Sequence, residues 1–290
     1  MSIKTKGMIC TMLAAIIFGA TPALGKITYT MGNNGIQLAF LRHLFVLPIF
    51  LFVILYKKES FAITKQQGID LLKIGLIGNA LTIGMLYTSY TYIGVGSATV
   101  LHFLYPMFVC LLNFLFYHQY LNKQQLLCLI FALVGIFCFI EPGASSLFGF
   151  LLALLSGITF AYYMVGMEHS SIRKMHVSVF NFYLVLMNTI VLGLFALFIH
   201  HLTVLPFMAY FYCFIMAILT SFIGILLLQT GIIYLGASLT AILSTLEPIT
   251  SVIVGVAFLH ESITFFKIIG CILVLTATIV LIYTQQNSKG

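Results

Sequence analysis

Tryptophan is absent from this 290-residue chain, and charged residues make up only 7% of it. Aspartate occurs once, at position 70. So little charge excludes an ordinary soluble domain, which covers its core with ionised side chains. No CxxC pair is present. Cys10, Cys110, Cys128, Cys138, Cys213 and Cys271 all fall inside apolar runs, so they read as small packing residues and not as a disulfide frame. There is no GxSxG nucleophile turn, and the sole aspartate, Asp70, is expected in a cytoplasmic loop and offers no aspartyl dyad. The run His260-Glu261-Ser262-Ile263-Thr264 lacks the second histidine that zinc proteolysis needs. His200 and His201 are adjacent but have no further ligands, so no metal and no cofactor is expected. An intramembrane enzyme is therefore the weaker rival reading. A channel is disfavoured as well, because no pore loop or ring of like charges is present.

What the chain does have is apolar length. Hydrophobic residues are 62% of it and mean hydropathy is +1.16. A helix needs about 20 apolar residues to cross hydrocarbon about 30 Å thick. That length divides the chain into ten spans. The first lies between Lys6 and Lys26, and the second runs from Gln37 to Tyr56. The charge-free stretch from Ile74 to Asn122 is too long for one helix and splits at Gly94-Val95-Gly96-Ser97 into spans three and four. The remaining spans are Gln124 to Ile140, Phe148 to Met167, Val177 to Ile199, Phe207 to Tyr234, Ser238 to Leu259 and Phe265 to Tyr283. Met1 to Lys6 followed by an apolar run resembles a signal peptide, but the nine further spans favour an uncleaved first helix.

The chain also repeats itself. Shifted by 142 residues, Gly7, Phe18, Tyr92, Leu104, Pro106 and His118 fall on Gly149, Phe160, Tyr234, Leu246, Pro248 and His260 without a gap. Residues 1–143 and 144–290 are thus expected to be two copies of one five-span unit. The net charge of +7 is distributed as membrane orientation requires and does not call for nucleic acid. With an internal N-terminus, Lys4, Lys6, Lys57, Lys58, Lys65, Lys73, Lys123, Arg173, Lys174 and Lys289 lie inside, and only Lys26 and Lys267 outside. The fold class expected is an all-α integral membrane protein, ten transmembrane helices in two inverted five-helix repeats around a central cavity. Both termini are expected in the cytoplasm and the protein in the plasma (inner) membrane, as a monomer or homodimer in contact with the lipid bilayer.

Polar residues inside the spans mark the bundle interior, because an ionisable group at mid-helix costs at least about 2.5 kcal/mol. Glu247 is the only acid well within a span, and Thr240, Ser244, Ser251 and Gly255 share its helical face. The corresponding stripe on span four carries His102, Tyr105 and Asn113. Pro106 and Pro248, in register, each remove a backbone donor and are consistent with a bend beside a cavity. Glu247 and His102 are candidate solute contacts or proton carriers. The plainer reading is that they close interhelical hydrogen bonds. Asn79, Thr82 and Tyr90 on span three, Ser156, Thr159 and Tyr163 on span six, and Gln229 on span eight are further cavity candidates, each equally able to bond a neighbouring helix. Asn181 and Asn188 read as packing residues, and Arg42 as an anchor or ion-pair partner near the outer end of span two. His43, His200 and His201 are expected at the interface. Tyrosines on the same helices would line a cavity suited to a flat or amphipathic organic solute.

These residues resemble the drug/metabolite transporter superfamily, specifically its EamA-type ten-helix members. The resemblance rests on Phe18-Gly19 with Lys26, on Arg42, on Gly94 to Pro106, on Gly236 through Glu247-Pro248, and on Glu261, Thr264 and Gly270. It covers essentially the whole chain. It implies a basket in which helices one, three, four, six, eight and nine surround the cavity, with Glu261 a structural loop residue beside a Thr264 cap. Where the family has a first-half glutamate this chain has Gln119. The activity expected is secondary transport of a small organic solute, a metabolite, amino acid, nucleobase or drug-like compound, by alternating access. Export is the direction expected, with protons as candidate coupling ions and an uncoupled facilitator as the near alternative.

Overall fold

The computed structural model describes residues 2–93, 95–138, 146–259 and 264–287, and among them every regular element is helical. Met1, Gly94, Ile140 (the expected end of span five), His260, Glu261, Ser262, Ile263 and Lys289, named above, lie outside the described residues. The first five helices are α1 (Ile3–Thr30, stepping at Thr21), α2 (Gly35–Lys57), α3 (Lys65–Ile93), α4 (pieces Val95–His102 and Tyr105–Tyr117) and α5 (Lys123–Phe137). The second five are α6 (Leu147–His169), α7 (Val177–Phe198), α8 (Phe207–Leu235), α9 (pieces Ala237–Leu243 and Leu246–Leu259) and α10 (Phe265–Asn287). Among the described residues eight helices are long and apolar enough to cross a membrane; α5 and the Ile268–Tyr283 stretch of α10 are shorter. The ten helices follow the hydropathic partition, except that α1 runs past Lys6 and Lys26, α10 runs past Tyr283 to Asn287, and α3 starts early. Helix α3 starts at Lys65, ahead of Ile74, because the Thr64 side chain accepts from the Gln67 amide while the Gln67 side chain accepts from the Thr64 amide. Asp70 therefore sits on helix, and its carboxylate accepts from the Ser171 amide at 3.0 Å and the Ser171 hydroxyl at 2.6 Å.

The two halves are copies in space as well as in sequence. α3 carries a π-helical segment over Ile74–Ala80 and α8 carries its counterpart over Ala217–Gly224. α4 breaks at Phe103-Leu104 and α9 at Ser244-Thr245, each just ahead of its proline. A proline cannot donate to the carbonyl one turn back, so the helix restarts there. Gly7 on α1 meets Tyr234 and Leu235 of α8, while Gly149 on α6 meets Tyr92 and Ile93 of α3. Those are the same contacts with the halves exchanged. The pairs α2 with α7 and α5 with α10 join each helix to its own copy across the pseudo-twofold axis.

Helix packing relies on close backbone approach, as expected where lipid offers no hydrophobic drive between helices. At Gly19, α1 lies against α9 so tightly that a Cβ would strike the Glu247 carbonyl and stand 2.7 Å from the Thr250 Cβ. His43, expected at the interface, is buried, and its Nδ1 lies 2.7 Å from the Ala39 carbonyl, which satisfies it locally. Gly19→Leu should cost about 1–3 kcal/mol and lower the thermal midpoint in detergent. Gly84→Ala, where a Cβ meets nothing within 4 Å, should leave that midpoint unchanged or raised.

Candidate functional site

The breaks in α4 and α9 set one residue of each repeat at equivalent places. Tyr105 opens the second piece of α4, and Glu247 lies in the first turn of the second piece of α9. These positions correspond under the 142-residue shift. The amide of Glu247 donates to the Ser244 carbonyl at 3.0 Å, and the helix N-terminus places positive partial charge near its carboxyl group. Tyr105 is buried, with its hydroxyl facing Ser244 and Glu247. The hydroxyls of Tyr105, Ser244 and Thr240 are all buried without a protein hydrogen-bond partner. Glu247 itself is partly exposed. This is a polar cluster, with hydroxyls that have no hydrogen-bond partner gathered beside one carboxyl group.

An aromatic wall backs it. The His102 ring lies 5.6 Å from Tyr105 and 5.4 Å from Phe160, and Tyr105 meets Phe160 edge-on at 4.9 Å. His102 is held in place: its Nδ1 is 2.9 Å from the Ser156 hydroxyl, which itself donates to the Ala153 carbonyl.

The remaining sequence candidates are placed as follows. Gln229 and Asn181 exchange amide bonds of 2.7 and 2.9 Å, and Gln229 also donates to the Tyr163 hydroxyl at 2.9 Å. All three side chains are fully buried, so in this conformation they satisfy one another across α6, α7 and α8. Asn188 donates to Asn79, joining α7 to α3. Thr82 and Thr159 share a 2.6 Å bond between α3 and α6. Ser251 is half-buried one turn beyond Glu247. Tyr90 packs edge-on against Tyr87 at 5.2 Å. Among the described residues no carboxylate pairs with Arg42; its guanidinium instead lies 5.9 Å from the Tyr87 ring. Pro106 and Pro248 stand at the two breaks, and Thr264 precedes α10, its carbonyl accepting from Ile268.

The two ends of the bundle differ. On the face where the chain begins, the near face, the first piece of α9 packs against both α6 and the second piece of α4. Glu168, at the end of α6, accepts from the Ala237 amide at 2.7 Å, and Asn113 of α4 donates to Ser238 at 2.9 Å and to Glu168 at 3.4 Å. Gly236, at φ +84°, brings the backbone against Glu168, and a Cβ there would stand 2.8 Å from its carboxylate. On the far face the counterpart pairs are the first piece of α4 with α1 and with the second piece of α9. Among the described residues these make no comparable contact. Glu168 escaped the sequence reading because it stands at the end of a span, where a charge looks like an ordinary loop residue. A crevice of about 690 Å³ in the near half, between α3, α4 and α6, also went unforeseen. Lys73, Tyr117, Thr159 and Tyr162 line it, and it does not reach Tyr105 or Glu247.

Comparison with known proteins fits this architecture. The chain is 25% identical to an uncharacterized transporter of Synechocystis sp., over 321 positions covering 99% of this chain and 96% of the relative. A protein of known crystal structure superposes with a TM-score of 0.82 at 14% identity, with 99% of each chain covered, a likeness of fold alone. Residues 5–140 and 147–283 each match the EamA-like transporter family, one match per repeat, and the chain accordingly belongs to that family as a multi-pass membrane transporter.

Proposed function

We propose that the chain is a secondary transporter that exports a small organic solute by alternating access, with Glu247 as the proton-carrying group of a central site. The observation that carries this reading is the meeting of two broken helices, one from each inverted repeat, at Tyr105 and Glu247, with unspent hydroxyls around them. Broken helices at the bundle centre supply exposed helix ends and free backbone groups, which is what a binding site at membrane depth requires. The division into residues 1–143 and 144–290 gives the two units that rock against each other. Taking the near face as cytoplasmic, on the ten-to-two bias of basic residues, the bundle is closed inside by Glu168 and open outside. Export then proceeds through the opposite state, in which the Glu168 contact parts and the far-face helices meet. His102, Ser244, Ser251 and Tyr90 complete the solute path in this reading. Asn79, Thr82, Tyr163 and Gln229 enter it only if their interhelical bonds exchange as the repeats move.

The solute is first sought as a compound that raises the thermal midpoint in a screen over amino acids, nucleobases and cationic drugs. In proteoliposomes, Glu247→Gln should abolish accumulation of that compound against its gradient under an imposed pH difference, while the variant melts as wild type does. Unchanged accumulation would eliminate the proton role. Counterflow without any accumulation in wild type would instead identify an uncoupled facilitator.

Glu168→Ala should loosen the near face. Cys110 is buried and lies beside Ser238 in that seal. In a background without the other five cysteines, its reaction with a thiol reagent should speed up by about tenfold, the ratio for about 1.4 kcal/mol shifted between the two states. An unchanged rate would mean that the Glu168 contact does not hold the face closed.

A further inference from the structure

Arg42 is a fixed positive charge within a span, and among the described residues it has no ionic partner. It sits seven residues into α2 from Gly35, about 10 Å below the far end of that helix. A long side chain at that depth could snorkel to the interface, its guanidinium in water and its stem in lipid. In the structure Arg42 is half-buried: its Nε is enclosed without a hydrogen-bond partner, and the guanidinium carbon lies 5.9 Å from the Tyr87 ring centre on α3. It stands on the far side, where the first piece of α4 makes no close packing with α1 or with the second piece of α9 among the described residues.

An ion pair would be the ordinary reason to keep an arginine there, because a charge in the membrane interior needs a partner. None exists among the described residues: Asp70 bonds Ser171 and Glu168 bonds the Ala237 amide at the near face, Glu59 lies 3.9 Å from His176 there, and Glu247 faces Tyr105. A purely architectural role would also be expected to recur in the other repeat, as the breaks and π-helical segments do. The position equivalent to Arg42 is Leu184. What remains is a planar fork of donors backed by an aromatic face. That geometry matches a carboxylate, which arginine binds through two parallel hydrogen bonds.

We propose that Arg42, backed by the Tyr87 ring, forms an oxyanion subsite on the far side of the bundle and takes the carboxylate of an organic solute. The proposal rests on the reading of the bundle centre as the solute's path. It also narrows the solute class. Glu247 stands twelve residues from the far end of α9 at Leu259, about 18 Å down, and therefore about 8 Å deeper than Arg42 along the bundle axis. In the proposal Arg42 takes the carboxylate while Glu247 stands deeper, and the Tyr87 face beside Arg42 favours a flat or apolar body on the same molecule.

Benzoate is the test ligand and benzamide its uncharged counterpart. The chain has only two arginines, Arg42 and Arg173, so phenylglyoxal modification of each is resolved by peptide mass on the purified wild-type protein. Saturating benzoate should slow modification of Arg42 by about tenfold and leave Arg173 at the near face unaffected, while benzamide or chloride at equal ionic strength protects neither. Benzoate should also raise the thermal midpoint of wild type and of Glu247→Gln but not of Arg42→Gln, with Arg42→Lys retaining part of the shift. Retention in Glu247→Gln keeps this test separate from the proton-coupling one. Equal modification of Arg42 with and without benzoate would overturn the subsite even if Arg42→Gln failed to fold. Equal protection by chloride, or an undiminished thermal shift in a folded Arg42→Gln protein, would overturn it too.

Discussion

A backbone amide in hydrocarbon has no water to bond, so each crossing must satisfy itself as a helix. An odd number of such crossings cannot return the chain to the face it left. A five-helix unit copied in tandem must therefore enter the membrane upside down the second time. The paired features of this molecule follow from that constraint. The π-helical segments of α3 and α8, the breaks of α4 and α9, and the reciprocal contacts of Gly7 and Gly149 are single structural devices seen twice from opposite faces. The axis that relates them runs between α2 and α7 and between α5 and α10, where each helix packs on its own copy.

Chemistry resides where the copies differ. Glu247 answers to Tyr105, Ser244 to His102, Arg42 to Leu184 and Glu168 to Lys26. The scaffold fixes equivalent positions in both halves, and substitution at those positions has made one half acidic at the centre and the other aromatic. The same unevenness closes one end of the bundle. Glu168 seals the near face by receiving the Ala237 amide at the start of α9, whereas its counterpart position holds a lysine, which cannot accept a backbone amide. A symmetric scaffold with different contacts at its two ends is what the proposed alternation between two arrangements would draw on.

Most of the scaffold could be read from the sequence, because hydropathy and an ungapped repeat are one-dimensional signals. The edges of α6 to α9 fall within a residue or two of their apolar runs, and Pro106 and Pro248 announced the two breaks. The start of α3 did not, since the Thr64 and Gln67 capping pair extends the helix through polar residues that hydropathy assigns to a loop. The site was less legible for a related reason. Polarity within a span shows that a side chain faces protein, but not whether it has already found a partner there. Gln229 and Tyr163 look like cavity residues one by one and prove to be satisfied by each other and by Asn181, while Arg42 looks like half of an ion pair and has no other half among the described residues. Partnership is a property of three dimensions, and so is the seal at Glu168, whose acceptor role depends on the distant Ala237 amide.

The inverted arrangement is tested most directly by placing single cysteines at Ser60, after α2, and at Val204, after α7, both exposed and in connections equivalent by repeat. In sealed vesicles of known orientation, with the six native cysteines replaced, a membrane-impermeant maleimide should reach one position only from inside and the other only from outside. Labelling of both from the same side would contradict the inversion, and with it the central site built from two opposed copies.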